Sequence, residues 1–307
     1  MRRLDNIDLR LLRVFVTLVE AGSFADAQIA LNLSQSTLST HLATLEKKLG
    51  GTLCIRGRRG FKLTSFGEAT WTAAQKLFTD IDSFQERVGE HNGQLVGRLR
   101  VGVVDGIVTN PVLGLQHAIR RYVDKAESVY IDLELGTPHL LEQAVADGRR
   151  DVVIGPFSQK APGVTYVALH REPQRLYCGR GHELFGLPAR NITSAMIEQS
   201  LFSVRAYRQL DDLYRVDHPR ASGQVVQMEA QVMMILSGRF IGFLPGHIGD
   251  VWLAQGQMRE IKPETYQFLS THFAAYRRSD ASRPVIRSFV RELSQYAGEM
   301  RKTADAG

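Results

Sequence analysis

Apolar residues recur at helical spacing in the first third of the chain and in strand-like blocks after it. Leu9, Leu12, Phe15, Val16 and Val19 share one face of a helix expected over about residues 8–20, closed by Gly22. Phe24, Ala27 and Leu31 mark a second helix, with Ser23 at its N-cap and Asp26 as its capping-box partner. Asn32 and Leu33 make a turn. Ser34 caps a third helix, whose buried stripe is Leu38, Leu42, Leu45 and Leu49. Two short strands over 51–56 and 61–64 flank the basic turn Gly57-Arg58-Arg59-Gly60. A long helix over about 65–89 follows, with Phe66, Ala69, Ala73, Leu77, Ile81, Phe84 and Val88 spaced close to a heptad seam.

From residue 98 the pattern becomes strands alternating with helices. Strands are expected at 99–104, 128–135 and 151–154, with helices at 111–123 (Pro111 in the first turn) and 138–147. This βαβαβ order argues for a parallel sheet covered by helices. A second unit carries strands at 164–170, 175–178, 201–204, 224–228, 240–245 and 272–276. Its helices fall at 194–198, 231–236 and 284–296, and a polar tail follows.

The segment over about 24–43 has the form of a helix-turn-helix, whose second helix enters the DNA major groove. The outer face of that helix presents Gln35, Ser36, Thr37, Ser39, Thr40 and His41 and carries no charge through Thr44. Solvent faces usually carry Glu and Lys. Short hydrogen-bonding groups suit base edges and phosphates instead. Arg56, Arg58 and Arg59 at the tip of the two-stranded wing suit a phosphate grip. Charge changes the picture further. The net charge is +6, and residues 1–65 hold ten basic and five acidic residues, a local surplus of +5. The rest of the composition is ordinary for a globular protein, with 44% hydrophobic and 23% charged residues. No signal peptide or bilayer-length apolar run is evident, and Cys54 and Cys178 give neither a disulfide framework nor a CxxC pair, so a cytoplasmic protein is expected.

Asp-Leu-Arg-Leu-Leu-Arg-Val-Phe15, Gly-Ser-Phe24, Leu-Asn-Leu-Ser-Gln35, Leu-Glu46, Leu-Gly50, Leu53, Arg56 and Leu-Thr64 resemble the LysR-type transcriptional regulators. The match covers about the first 67 residues without gaps. Gln28, Ile29, Ala30, Ser36, Thr40, His41 and Cys54 depart from the usual pattern, which bears on the operator read. The resemblance implies an N-terminal winged helix-turn-helix (1–64), a dimerisation linker helix (65–90), a hinge (91–97) and a periplasmic-binding-protein-like effector domain (98–301). The effector domain would divide into lobe I (98–163 and 271–301) and lobe II (164–270), with a tail at 302–307. It implies a homodimer or homotetramer joined through Leu77, Ile81, Phe84 and Val88. A pseudo-palindromic double-stranded operator, a small-molecule inducer and RNA polymerase are the expected partners, with no cofactor, metal or membrane.

Expected DNA contacts are Ser23, Ser34, Gln35, Ser36, Thr37, Thr40 and His41, with Arg56, Arg58 and Arg59 from the wing. The effector would sit between lobes, near strand ends and helix N-termini. Its candidate contacts are Asp105, Gly106 and Thr109 after the first strand, Thr137 after the second, and Ser203, Arg205 and Phe243 in lobe II. Asp105 suits a cationic or hydroxylated group and Arg205 a carboxylate; helix caps and a surface ion pair are the plainer readings. Enzyme motifs are missing: no Gly-rich phosphate loop, no Gly-x-Ser-x-Gly elbow and no metal spacing occur. His139, His170, His182, His218, His247 and His272 are scattered, and Asp211-Asp212 reads as a solvated pair. A solute-binding protein and an architectural DNA-binding protein are the disfavoured alternatives.

Overall fold

The computed structural model describes residues 6–57, 60–126, 128–158 and 160–305; at Arg56 only the backbone is described. The chain divides into two compact units, 1–84 and 85–307. In the first, α1 (Asn6–Ala21), α2 (Phe24–Leu31) and α3 (Gln35–Leu49) precede the hairpin β1 (Cys54–Gly57) and β2 (Gly60–Leu63). Helix α4 (Ser65–His91) follows. Phe15, Leu18, Leu38, Leu45 and Leu53 form a fully buried core, and Trp71, Ala74, Leu77 and Phe78 of α4 close over it. Gly67 lets α4 cross the strand entry, since a Cβ there would meet the Leu53 carbonyl oxygen at 2.0 Å.

In the second unit, β3 (Val96–Val103), α5 (Leu115–Val123), β4 (Ser128–Leu135), α6 (Pro138–Ala146) and β5 (Val152–Gly155) build lobe I. Strand β6 (Val164–Gly179) then leads into lobe II. There α7 (Ser194–Gln199), β7 (Leu201–Arg205), α8 (Gln209–Tyr214), β8 (Gly223–Val225) and α9 (Met228–Leu236) precede β9 (Phe240–Pro245), α10 (Gly246–Ala254) and β10 (Met258–Glu260). Strand β11 (Gln267–Arg277) returns to lobe I, and α11 (Pro284–Asp305) ends the fold. Among the described residues the sheet order is β4-β3-β5-β11-β6-β9-β7-β8, with β10 on β6. Strands β3, β4 and β5 are parallel, as are β7, β8 and β9. The antiparallel pair β6 and β11 joins the two lobes, with a bulge at His272/Phe273.

Several elements differ from expectation for local reasons. Helix α5 starts at Leu115 rather than Pro111. The Asn110 Oδ1 accepts from the amides of Val112 and Leu113, and Gly114 is left-handed at φ 43°, so residues 110–114 form a turn. Strand β6 is one strand, not two. Its Pro173 pairs with β11 on one side, while pairing to β9 starts only at Gln174, so the missing N–H leaves no gap in a ladder. Met228 opens α9 rather than ending a strand. Helix α11 continues through Asp305, so residues 302–305, expected as tail, are helical.

Over the expected hinge at 91–97, residues 91–94 are exposed and form a turn, and β3 begins at Val96. Helix α4 runs to His91, and Gly97 (φ 123°) lies against Glu86, whose carboxylate takes two hydrogen bonds from Arg283 at 2.5 and 3.1 Å. Arg283 also donates to buried Asp151 at 2.6 Å, and Arg100 donates to the same carboxylate. These cations outweigh burial and hold the Asp151 carboxyl below the ordinary range.

Candidate DNA-reading surface and effector cleft

Ser23 caps α2, accepting from the Asp26 amide at 3.0 Å. The return arm is a hydroxyl-to-carboxylate bond of 2.6 Å from Ser23 to Asp26, because Asp is one methylene shorter than the usual Glu of a capping box. Asn32 ends α2 in the left-handed region at φ 50°, which Asn tolerates. Ser34 caps α3 by accepting from the Thr37 amide. Its hydroxyl lies 2.9 Å from that of Ser36 and 2.8 Å from that of Thr37, giving a hydroxyl cluster at a helix start without acidic residues. Such an end attracts phosphate.

Gln35, Ser36 and Thr40 are exposed; Thr37 and His41 are half-buried. The Thr40 hydroxyl donates to the Ser36 carbonyl at 2.9 Å, so toward a base it can only accept. His41 keeps a buried Nδ1 with no hydrogen-bond partner. The wing hairpin closes at Gly57 opposite Gly60. Arg58 and Arg59 lie outside the described residues, as does the Arg56 side chain. Glu46 ties α3 to the wing by accepting from the Leu53 amide at 2.7 Å. The candidate dimer seam divides: Leu77 packs on its own unit's core and Ile81 is half-buried, while Phe84 and Val88 are exposed at 67% and 49%.

In the second unit a small pocket of about 20 Å³ lies between the lobes, room for about one water. Asp105, Gly106 and Ile107 line it from lobe I; Arg205, Tyr207, Arg208 and Met228 line it from lobe II. Glu172, Gln174, Ser270 and His272 line it from the joining strands, and His247 from α10. Thr137 lies in an outer vestibule of about 530 Å³, which shares Pro156, Tyr207 and Arg208 with the inner pocket. Thr109 is exposed and lines neither.

Two lobe II candidates sit away from the pocket, because both side chains turn into the core. Ser203 is fully buried and donates to Gln231 at 2.7 Å, and Phe243 is a core ring stacked edge-on to Phe202 and Phe268. Arg205 does reach the pocket, but as a buried ion pair rather than a surface one. Its guanidinium bonds both oxygens of Asp212 at 3.3 Å and the Gln174 amide oxygen at 3.0 Å. Asp212, expected in a solvated loop, is on α8 and fully buried, because two arginines, Arg205 and Arg208, converge on it.

Asp105 does not cap its own segment. Its carboxylate accepts from the Met228 amide at the start of α9, across the cleft, where the N-cap residue Gln227 offers no side-chain bond. Burial raises its carboxyl above the ordinary Asp range, and Glu229 adds to this. Gly106 has φ 71°, and a Cβ there would meet Ile248 at 2.9 Å, so the lobes approach closely at this point. Three of the scattered histidines gather with Glu172. The His247 Nδ1 is 2.7 Å and the His272 Nε2 3.7 Å from its oxygens, and His170 pairs with His272 in register. Asn110 donates to Glu172 at 2.5 Å. Burial alone would raise the Glu172 carboxyl, but His247, His272 and Asn110 outweigh it and hold it low. Sequence reading missed this group, although His170, Glu172 and Gln174 occupy alternate positions of one strand. Among the described residues no group of side chains could hold a metal ion, and no helix is long and apolar enough to cross a membrane.

Residues 9–68 match the family model of the bacterial regulatory helix-turn-helix protein, lysR family, and residues 92–298 match that of the LysR substrate binding domain. The chain is 34% identical over 267 residues to the HTH-type transcriptional activator BauR of Pseudomonas aeruginosa, covering 87% of this chain and 88% of that protein. Among solved structures, a full-length OxyR variant from Pseudomonas aeruginosa superposes with a TM-score of 0.66 at 22% identity, covering 97% of this chain and 95% of that one. Full-length CbnR complexed with its target DNA gives 0.62 at 18% identity, covering 94% and 99%. The chain therefore belongs to the LysR family of transcriptional regulators, with that family's DNA-binding helix-turn-helix followed by its two-lobed effector-binding domain.

Proposed function

We propose that this regulator reads a pseudo-palindromic operator through Gln35, Ser36, Thr37, Thr40 and His41 on α3. Ser23, Ser34 and the wing residues Arg56, Arg58 and Arg59 would hold phosphates. It acts in the cytoplasm as a homodimer that pairs into a homotetramer, with RNA polymerase as its downstream partner. Exposed Phe84 and Val88 on α4 support the self-association. The effector is a small polar molecule with a carboxylate at one end and an ammonium or hydroxyl at the other.

The observation that carries the effector reading is the inter-lobe cleft, where Asp105 of lobe I faces Arg205, Tyr207 and Arg208 of lobe II and the inner pocket adjoins the larger vestibule at Tyr207 and Arg208. Arg205 and Arg208 converge on buried Asp212 there, with exposed Asp211 also paired to Arg208 at 3.5 Å, so the guanidiniums offer N–H donors to an acid while Asp105 keeps an acceptor for the other end. Ligand binding shifts the lobe equilibrium and with it the assembly presented to DNA. Short carboxylates bearing an amino or hydroxyl group should raise the thermal midpoint of the full chain more than plain carboxylates or amines of the same length. Equal shifts from the single-group compounds would remove the two-ended assignment. Genome-wide mapping of bound DNA tests the operator reading, and enrichment without a dyad motif would overturn it.

A further inference from the structure

We propose that His247 is the positioning residue that clasps the two effector lobes together, and that it does so only as the imidazolium, which makes cleft closure a proton-uptake step. The proposal rests on the two-lobed effector reading for its meaning, but on no particular effector.

The geometry is specific. Both ring nitrogens of His247 face acceptors. Nε2 donates to the Gly106 carbonyl oxygen of lobe I at 2.9 Å, and Nδ1 lies 2.7 Å from a carboxylate oxygen of Glu172 on β6. The Nδ1 contact is an ion pair rather than an aligned hydrogen bond, so its worth is charge against charge. A neutral imidazole has one N–H and one lone pair. Loss of the Nε2 proton would point a lone pair at the Gly106 oxygen, and loss of the Nδ1 proton would leave a neutral ring beside the Glu172 carboxylate, without the charge that holds that contact. Only the doubly protonated ring suits both contacts.

The surroundings agree. Burial, and a place in the first turn of α10, work against a cation at His247. Glu172 outweighs them, with smaller help from the Gly106 carbonyl and Asp250, and the ring binds its proton more tightly than an ordinary histidine. Charged and titratable groups face the ring from several elements, with Arg205, Tyr207 and Arg208 lining the same pocket from lobe II. Glu172 and His170 face the site from β6, His272 from β11, Asp250 from α10 and Asp105 from the loop after β3. Arg175 pairs with Asp250, and Arg301 of α11 acts on His170. Burial lowers the affinity of His170 and His272 for protons, which leaves His247 as the histidine of this group that most readily carries the charge beside Glu172. Glu172 also receives Asn110 of lobe I, so the same carboxylate holds lobe I directly and through His247.

The sign follows from linkage. A group that binds its proton more tightly in the closed form favours closure at low pH. That advantage is lost as pH rises from about 6.5, the ordinary histidine value, through the raised one. One proton changes the opening equilibrium by about tenfold per pH unit inside that window. The Met228 amide, bonded across the cleft to Asp105, reports opening directly.

Hydrogen exchange of the full chain, without any effector and corrected for the intrinsic rate at each pH, tests this. In the wild type, protection of peptides spanning residues 105–110 and 226–230 should fall by up to about tenfold per pH unit above 6.5. His247→Gln can donate to Gly106 without titrating, and should flatten the dependence while keeping part of the protection. Glu172→Gln removes the group that outweighs burial at His247, and should abolish the fall or reverse it. A wild type flat across the window, or the same slope in His247→Gln, would overturn the proposal. If His247→Gln fails to fold, the wild-type slope alone decides. Failure of every effector probe to bind leaves the measurement intact, so the two readings fail separately.

Discussion

Arg205 and Asp212 show how charge behaves when water is excluded. Side-chain exposures are 4% and 0%, so neither can be hydrated if the other is removed. Breaking a buried pair by deleting one partner costs about 3–5 kcal/mol, whereas replacing both by apolar groups of similar volume is often neutral. Asp212→Ala should therefore lower the unfolding free energy of the effector unit, measured in urea, by that amount, and Arg205→Met with Asp212→Leu should recover much of it. An exposed pair would cost under about 1 kcal/mol, and that result would contradict the burial. Cys178 gives a second residue-scale test. Burial pushes its thiol up to about 11, so at neutral pH it should resist alkylation in the native protein and react only on unfolding. Neither property was legible in the sequence. Arg205 and Asp212 are seven positions apart across a strand end, and only the fold brings Gln174 to the same guanidinium and Arg208 to the same carboxylate.

At the scale of elements, legibility follows how local the cause is. Caps at Ser23 and Ser34, the leucine stripe of α3 and the glycine-closed wing are set by short-range patterns, and the sequence marks them in place. The start of α5 is set from farther off. The proline rule places it at Pro111, yet Asn110 is drawn to Glu172, 62 residues away, and its other amide atom holds the following amides in a turn. Gly114 then turns the chain into the helix with φ 43°, and a Cβ there would meet the Tyr296 ring at 2.0 Å. Gly114→Ala should cost about 2 kcal/mol or more in thermal or urea unfolding, from backbone strain and the clash together. An unchanged midpoint would mean that the turn relaxes freely. The effector pocket was half legible. Asp105, Gly106 and Arg205 stand at strand ends, where topology puts ligands, whereas Ser203 and Phe243 were assigned by the same rule but turn inward on the pleat.

At the scale of the whole molecule, charge and exposed apolar surface govern association. With most of the net charge within the first 65 residues, operator affinity should fall steeply with salt. Replacing Arg58 and Arg59 by Ala should make the log–log salt slope shallower by roughly one to two, at about 0.9 for each phosphate no longer neutralised. An unchanged slope would take the wing out of the phosphate set. The exposed apolar groups Phe84 and Val88 on α4, and Tyr130, Leu133 and Leu135 on edge strand β4, belong to the surface available for self-association. Phe84→Asp with Val88→Asp should lower the sedimenting species toward the monomer.

The borrowed cap of α9 carries one more consequence. This helix has no side-chain cap of its own; Asp105 of the opposite lobe supplies it. Parting the lobes therefore strips about 1 kcal/mol from the first turn of α9 and invites that turn to fray. The helix works as a gauge whose length records whether the cleft is shut.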